Sequence, residues 1–257
     1  MRVLVLGAGK MAQAILKGLA ETESLSEWGI YSPSGVSAKK LSEETGAQFI
    51  TDLNTVNPEW VLLGCKPQQL DSQKKTFPDA LYISLLAAIG EESQVKILGV
   101  KRLVRVMPNL SVRYRQGVSL ISSSSGSKEV PKVLELFSKL GMARVMNEAE
   151  LEELTLLTGS GPALFYEFTL NLAQNFNSLT EAERETLSRQ VLLGAALNAK
   201  SENIPLQTMI DSVTSKGGVT IAVLEEWRSK GLVGLLKMGI EAGKKRTQEL
   251  KKIILQS

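Results

Sequence analysis

Over the first 144 residues short, mainly apolar runs recur: Val3–Leu6, Gly29–Tyr31, Trp60–Cys65, Leu81–Leu86, Leu103–Met107 and Val118–Ile121. A short run that is apolar throughout predicts a strand covered on both faces. Interspersed with these runs, helical spacing appears over Met11–Glu21, Val36–Thr45, Gln69–Thr76, Glu91–Leu98 and Glu129–Leu140. Strand and helix in alternation predict βαβ units feeding a mostly parallel sheet. The six residues Ser122–Ser127, five of them serine, read as a loop between strand and helix.

After about Asn147 the strand pattern stops and helical spacing takes over. Leu151, Leu154 and Leu157 lead into Gly159-Ser160-Gly161-Pro162, which predicts a break before an apolar helix through Leu170 and Ala173. Thr180 with Glu183 three residues on has the form of a capping box. Pro205 opens a short helix to Val213, Gly217-Gly218 breaks it, and helical patterning resumes from Thr220 to the end. The expected architecture is α/β: a Rossmann-type parallel-sheet domain over 1–147, followed by an all-α domain over 148–257. Leu164, Phe165, Phe168, Leu172, Leu192, Leu193, Leu197, Leu232, Leu235, Leu236 and Ile240 give the helical half more apolar surface than five short helices bury among themselves, so a homodimer or higher assembly is expected.

Composition then removes whole classes of chemistry. The chain has 257 residues and no histidine, which excludes Ser-His-Asp and Cys-His catalysis, a histidine base and His-ligated zinc; no metal is expected. The single cysteine, Cys65, can form no intrachain disulfide and reads as an inert thiol in an apolar run, as expected of a cytoplasmic protein. No apolar run reaches the ~18 residues of a membrane span, and the N-terminal run is too short for a signal segment. Net charge is +3, and five of the basic residues lie within Lys244–Lys252. With no aromatic among them they read as a solvated helix face, and no nucleic-acid partner is expected.

Gly7-Ala8-Gly9-Lys10-Met11-Ala12 follows the first strand and opens a helix, the context a G-x-G-x-x-G/A dinucleotide turn requires. Gly7 permits the tight turn, Gly9 lets backbone approach a pyrophosphate, and Ala12 allows close packing of helix on strand. At the end of the second strand, where an NAD site carries Asp or Glu, stands Ser32, with Lys39 and Lys40 nearby. That favours NADPH over NADH, because no carboxylate repels a 2′-phosphate. Ser215-Lys216-Gly217-Gly218-Val219-Thr220 is a second glycine turn before a helix, where backbone N–H groups can hold a small carboxylate.

The Gly-Ala-Gly turn, Lys66-Pro67-Gln68, Arg105-Val106-Met107-Pro108-Asn109, Gly159-Ser160-Gly161-Pro162-Ala163 and Ser215–Thr220 occur in the order found in pyrroline-5-carboxylate reductases. The chain resembles that family over nearly its whole length. The resemblance implies NADPH-dependent reduction of 1-pyrroline-5-carboxylate to proline, the last step of proline biosynthesis, by a protein that dimerises through its helical domain. It assigns Gly7, Gly9, Lys10, Met11, Ser32, Asn54, Lys66, Pro67 and Asn109 to the cofactor. It assigns Ser215, Gly217, Gly218, Val219 and Thr220 to the substrate loop, the Ser215 hydroxyl and the N–H groups of the glycine pair to the substrate carboxylate, Thr220 to the ring nitrogen as the catalytic contact, and Glu202 to a contribution across the dimer. Lys10, Ala12, Ala88 and Lys216 depart from the family pattern. They leave two alternatives open, reduction of another cyclic imine and a non-catalytic NADPH-binding paralogue with a regulatory role. For Thr220 a helix-capping role stands beside the catalytic one.

Overall fold

The strand Val3–Leu6 (β1) sits inside the sheet, and its four residues divide alternately between two apolar layers. Val3 and Val5 join Ile15, Leu16 and Leu19 on one face, and Leu4 and Leu6 join Val61, Leu63 and Tyr82 on the other. A strand buried on both sides has no polar alternation to show, which is why the apolar runs predicted it. The computed structural model describes residues 1–65, 76–87, 89–123 and 128–256, the side chains of 254–256 excepted. Most of the helix expected over 69–76 and of the loop expected over 122–127 therefore lies outside the described residues.

The remaining strands are β2 (Trp28–Tyr31), β3 (Gln48–Phe49), β4 (Trp60–Leu63), β5 (Leu81–Ser84), β6 (Leu103–Pro108), β7 (Gly117–Ser122) and β8 (Gly141–Val145). Their order across the sheet is β3-β2-β1-β4-β5-β6-β7-β8, and every neighbouring pair is parallel except β6 with β7. Helices α1 (Lys10–Ala20), α2 (Val36–Thr45), α3 (Glu91–Leu98) and α4 (Val130–Ser138) connect them. The mixed α/β architecture with its Rossmann-type sheet is as expected. Strands β3 and β8 were not: β3 is two exposed residues long, and three of the five β8 residues are exposed, so neither carries an apolar run.

The helical half consists of α5 (Glu148–Ala173), α6 (Glu181–Glu202), α7 (Leu206–Ser212), α8 (Val219–Ser229) and α9 (Leu232–Gln256). Two expectations are corrected here. Helix α5 runs unbroken through Gly159-Ser160-Gly161-Pro162. The stretch expected as one helix from Thr220 is instead divided at Gly231, whose φ of +84° places it in the left-handed region that ends a helix. The capping box is present as predicted, with Glu183 N–H donating to Thr180 Oγ1 and Thr180 N–H to Glu183 Oε2. The Thr180 hydroxyl also donates to Glu183 Oε2 at 2.6 Å, and this bond, followed by that from the Thr180 N–H, holds the Glu183 carboxyl below its ordinary pKa. By density of contacts the chain divides into 1–160 with 244–257, and 161–243.

Within the first unit one carboxylate ties four elements. Glu148 Oε1 accepts from Arg105 Nη1 and from the Glu91 N–H that opens α3, and Oε2 accepts from the Ser122 hydroxyl at 2.9 Å. Arg105 is 1% exposed; its other carboxylate neighbour, Glu152, is 3.9 Å away and is itself paired with Lys251. Removing the close partner of a buried guanidinium strands a charge that water cannot reach. Glu148→Ala should therefore lower the unfolding free energy by about 3 kcal/mol, read as a shifted urea midpoint at unchanged m-value. A loss within experimental error would show that Glu152 suffices.

Candidate active site

The glycine turn is built as a cradle. Gly7 has φ +100°, its N–H donates to Tyr31 O at 2.8 Å, and a Cβ placed on it would lie 2.7 Å from Cys65 N and 2.8 Å from Gly64 C. Gly64, directly after β4, is closed in from the other side: its Cβ would come 2.9 Å from Ala12 Cβ. The three small residues thus let β1, β4 and α1 meet at backbone distance. Gly9 is the N-cap of α1, with no side-chain cap bond and no acidic residue in the first turn. The first-turn N–H groups of Lys10, Met11 and Ala12 have no helical acceptor, as at any helix start, and Lys10 lies exposed among them. These residues fit a pyrophosphate, which needs donors, a positive helix end and room. Gln13 completes the turn by donating from Nε2 to Ala8 O at 2.9 Å, a contact with no sequence signature.

Ser32 follows β2 and is buried, its Oγ 3.2 Å from Ser37 Oγ. Gly35 N–H closes the turn onto Ser32 O, and Gly35, at φ +71°, is the N-cap of α2. The α2 first turn also carries no carboxylate. Lys39 and Lys40 are exposed, and Lys40 Nζ is 4.0 Å from Glu44. Asn54 is exposed in a 3-10 turn, where its N–H donates to Asp52 Oδ1. Lys66, Pro67 and Ala88 lie outside the described residues. Cys65 is half-buried, and burial pushes its thiol pKa up, which keeps it protonated and unreactive. Asn109 directly follows β6 at the carboxyl edge of the sheet, 8% exposed, with its amide engaged by protein groups.

In the second unit Ser215–Gly218 form the turn before α8, and Val219 and Thr220 open the helix. Gly217 has φ +73°, and Gly218 N–H donates to Ser215 O at 2.9 Å. A Cβ on Gly218 would lie 2.4 Å from Ser215 Oγ, so glycine there leaves room for the hydroxyl. This geometry corrects the expectation that both glycine N–H groups face a ligand. The Gly218 N–H is used by the turn and is not available to a carboxylate. The first-turn donors are instead the N–H groups of Val219, Thr220 and Ile221, the last of which the sequence reading missed. Thr220 is not the cap either: Gly218 is the N-cap, no side chain caps α8, and Thr220, one residue into the helix, is exposed. Glu202 is the exposed last residue of α6, before Asn203 in the left-handed region.

A mostly parallel sheet with a glycine turn at the head of α1, followed in the chain by helices of which α8 opens on a second glycine turn, has the layout of a two-part nucleotide-binding protein. Residues 148–250 match the family model described as pyrroline-5-carboxylate reductase dimerisation, and residues 2–88 match that of NADP oxidoreductase coenzyme F420-dependent. The pyrroline-5-carboxylate reductase of Aquifex aeolicus is 30% identical over 263 residues, covering 98% of this chain and 97% of that one. The solved structure of 1-pyrroline-5-carboxylate reductase from Streptococcus pyogenes is similar with TM-score 0.82 and 28% identity, covering 98% of both chains. That from Coxiella burnetii gives 0.84 and 25%, over 97% of this chain and 98% of its own. The chain belongs to the pyrroline-5-carboxylate reductase family.

Proposed function

We propose that the protein reduces 1-pyrroline-5-carboxylate to proline with NADPH. The observation that supports this most is that the likeness to reductases runs end to end, so that the Gly7–Ala12 and Ser215–Thr220 turns stand in one chain in the family's order. The first-turn N–H groups of α1 hold the pyrophosphate, with Lys10 and Met11 beside it, and Asn54, Lys66 and Pro67 belong to the same cofactor side. Bound there, the reduced nicotinamide supplies a hydride. At α8 the Ser215 hydroxyl and the N–H groups of Gly217, Val219 and Thr220 receive the substrate carboxylate, and the Lys216 ammonium adds a positive charge beside it. The Thr220 hydroxyl accepts from the protonated ring nitrogen. A cyclic imine that enters protonated needs a hydrogen-bond partner there rather than a strong acid, so a chain without histidine can do this chemistry. Glu202 contributes across the dimer.

Mixing protein, NADPH and 1-pyrroline-5-carboxylate should consume NADPH and yield proline in equal amounts. NADPH binding with no consumption would instead favour the non-catalytic alternative, and consumption only with a different imine would change the substrate.

NADPH rather than NADH is the expected donor, because Ser32 and Ser37 present hydroxyls and the α2 first turn presents N–H groups where a carboxylate would repel the 2′-phosphate. Ser32→Asp should reverse the ratio of kcat/KM for the two cofactors. A wild-type preference for NADH would contradict this reading of the β2 end.

The helical unit is expected to pair with a second copy. No residue of α6, α7 or α8 is buried in the single chain, and Phe165, Leu235 and Leu236 are each more than 60% exposed. Between α5 and α6 lies a mainly apolar groove of about 640 Å³, lined by Ala163, Leu170, Leu192 and Leu193 among others. Light scattering at micromolar concentration should give at least twice the chain mass; a monomer would end both the pairing and the part given to Glu202.

A further inference from the structure

Pro162 lies inside α5 and has no N–H, so the Thr158 carbonyl four residues back loses its helical hydrogen bond. That carbonyl is nonetheless satisfied: Asn109 Nδ2 donates to it at 2.9 Å. The other end of the same amide is also used, since Asn109 Oδ1 accepts from the Val118 N–H at 3.3 Å. The two partners fix which way the amide points, because an N–H requires the oxygen and a carbonyl requires the nitrogen. The backbone N–H of Asn109 donates to Val118 O at 3.1 Å, and its carbonyl accepts from Val112 N–H at 3.2 Å. Asn109 is therefore held on both its backbone and its side chain, directly after the last residue of β6. Because β6 runs parallel to β5, β4 and β1, this is the carboxyl edge of the sheet, where ligands of open α/β sheets sit.

We infer that Asn109 is a positioning residue that acts through α5. It supplies the hydrogen bond that Pro162 denies the Thr158 carbonyl, and so fixes the Thr158–Ser160 turn of the helix at the reacting edge of the sheet. Two of the chain's motifs, the one ending in Asn109 and the one containing Pro162, are thus two halves of a single device. The consequence for turnover rests on the reductase reading above. The bond replacement does not, and it can be measured by unfolding alone.

The experiment is a double-mutant cycle on the full chain with Asn109→Ala, Pro162→Ala and both together, alongside Asn109→Asp. Alanine at position 162 restores an N–H that can meet Thr158 O in the helix. The loss of Tm caused by Asn109→Ala should then fall to about half or less in the Pro162→Ala background, since residues serving one group are not additive. In the otherwise unaltered chain, Asn109→Ala should cut kcat about 10-fold, as expected for misplacement of groups near the reaction, with the Kd for NADPH changed less than about twofold. Asn109→Asp keeps the acceptor for Val118 but sets a carboxylate against the Thr158 carbonyl, so it should lose as much kcat as alanine. Because it keeps the shape of the side chain, it also serves if the alanine variant does not fold. Additive losses of Tm would overturn the bond replacement. A Kd for NADPH raised about 10-fold or more with kcat intact would overturn the positioning role and make Asn109 a direct cofactor ligand. An unaltered chain that binds NADPH but reduces no imine would fail the reductase reading alone, and the Tm cycle would still decide the bond.

Discussion

Thr220→Ala is expected to cut kcat for imine reduction about 10- to 1,000-fold while leaving NADPH affinity and folding nearly unchanged, the signature of a contact that is stronger in the transition state than in the ground state. Had Thr220 capped α8, its loss would cost stability, about 1 kcal/mol, and leave kcat of the folded fraction intact. Gly218 is the N-cap instead, and the Thr220 side chain is exposed one residue further on, so little stability depends on its hydroxyl. Thr220→Ser keeps the hydroxyl and should keep most of the activity. Near wild-type kcat in Thr220→Ala would leave the backbone N–H groups and the cofactor as the whole of the machinery.

The second large effect is expected at Gly7. At φ +100° with a Cβ 2.7 Å from Cys65 N, alanine is strained by its backbone angle and obstructed by backbone atoms that have nowhere to go. Left-handed strain of about 1–3 kcal/mol and a displaced turn should lower Tm and weaken NADPH at least about 100-fold in Gly7→Ala. Gly9 provides the contrast. Its φ is −71°, and its nearest neighbour to a Cβ is Gly64 O at 3.3 Å, so the fold has far less to give way. Gly9→Ala should weaken NADPH, by crowding the approach of the pyrophosphate, with little change in Tm. Equal losses of Tm in the two variants would refute this division of labour.

Much of this was legible in the sequence because it is carried by local pattern. The all-apolar runs at Val3–Leu6 and Trp60–Leu63 could only be covered strands, and Thr180 with Glu183 announced the start of α6. Features decided by distant partners were not legible. Gly159 to Pro162 read as a break, yet α5 continues because a residue 49 positions away supplies the missing bond. Arg105 read as part of an apolar strand motif, and nothing local pointed to Glu148, 43 positions on, as its partner. At Ser215–Thr220 the glycine pair showed that a turn opens a helix, but which N–H groups that turn leaves unused depended on the Gly218 bond to Ser215, a matter of turn geometry rather than composition.

Hydride transfer from NADPH to the imine carbon is tested most directly by following deuterium carried at C4 of the reduced nicotinamide. Incubated with the protein and 1-pyrroline-5-carboxylate, cofactor labelled on the transferred face should deliver one deuterium to the former imine carbon of proline for each NADPH oxidised. NADPH that binds but is not oxidised, or oxidation that leaves the proline unlabelled with either face of the cofactor deuterated, would contradict it.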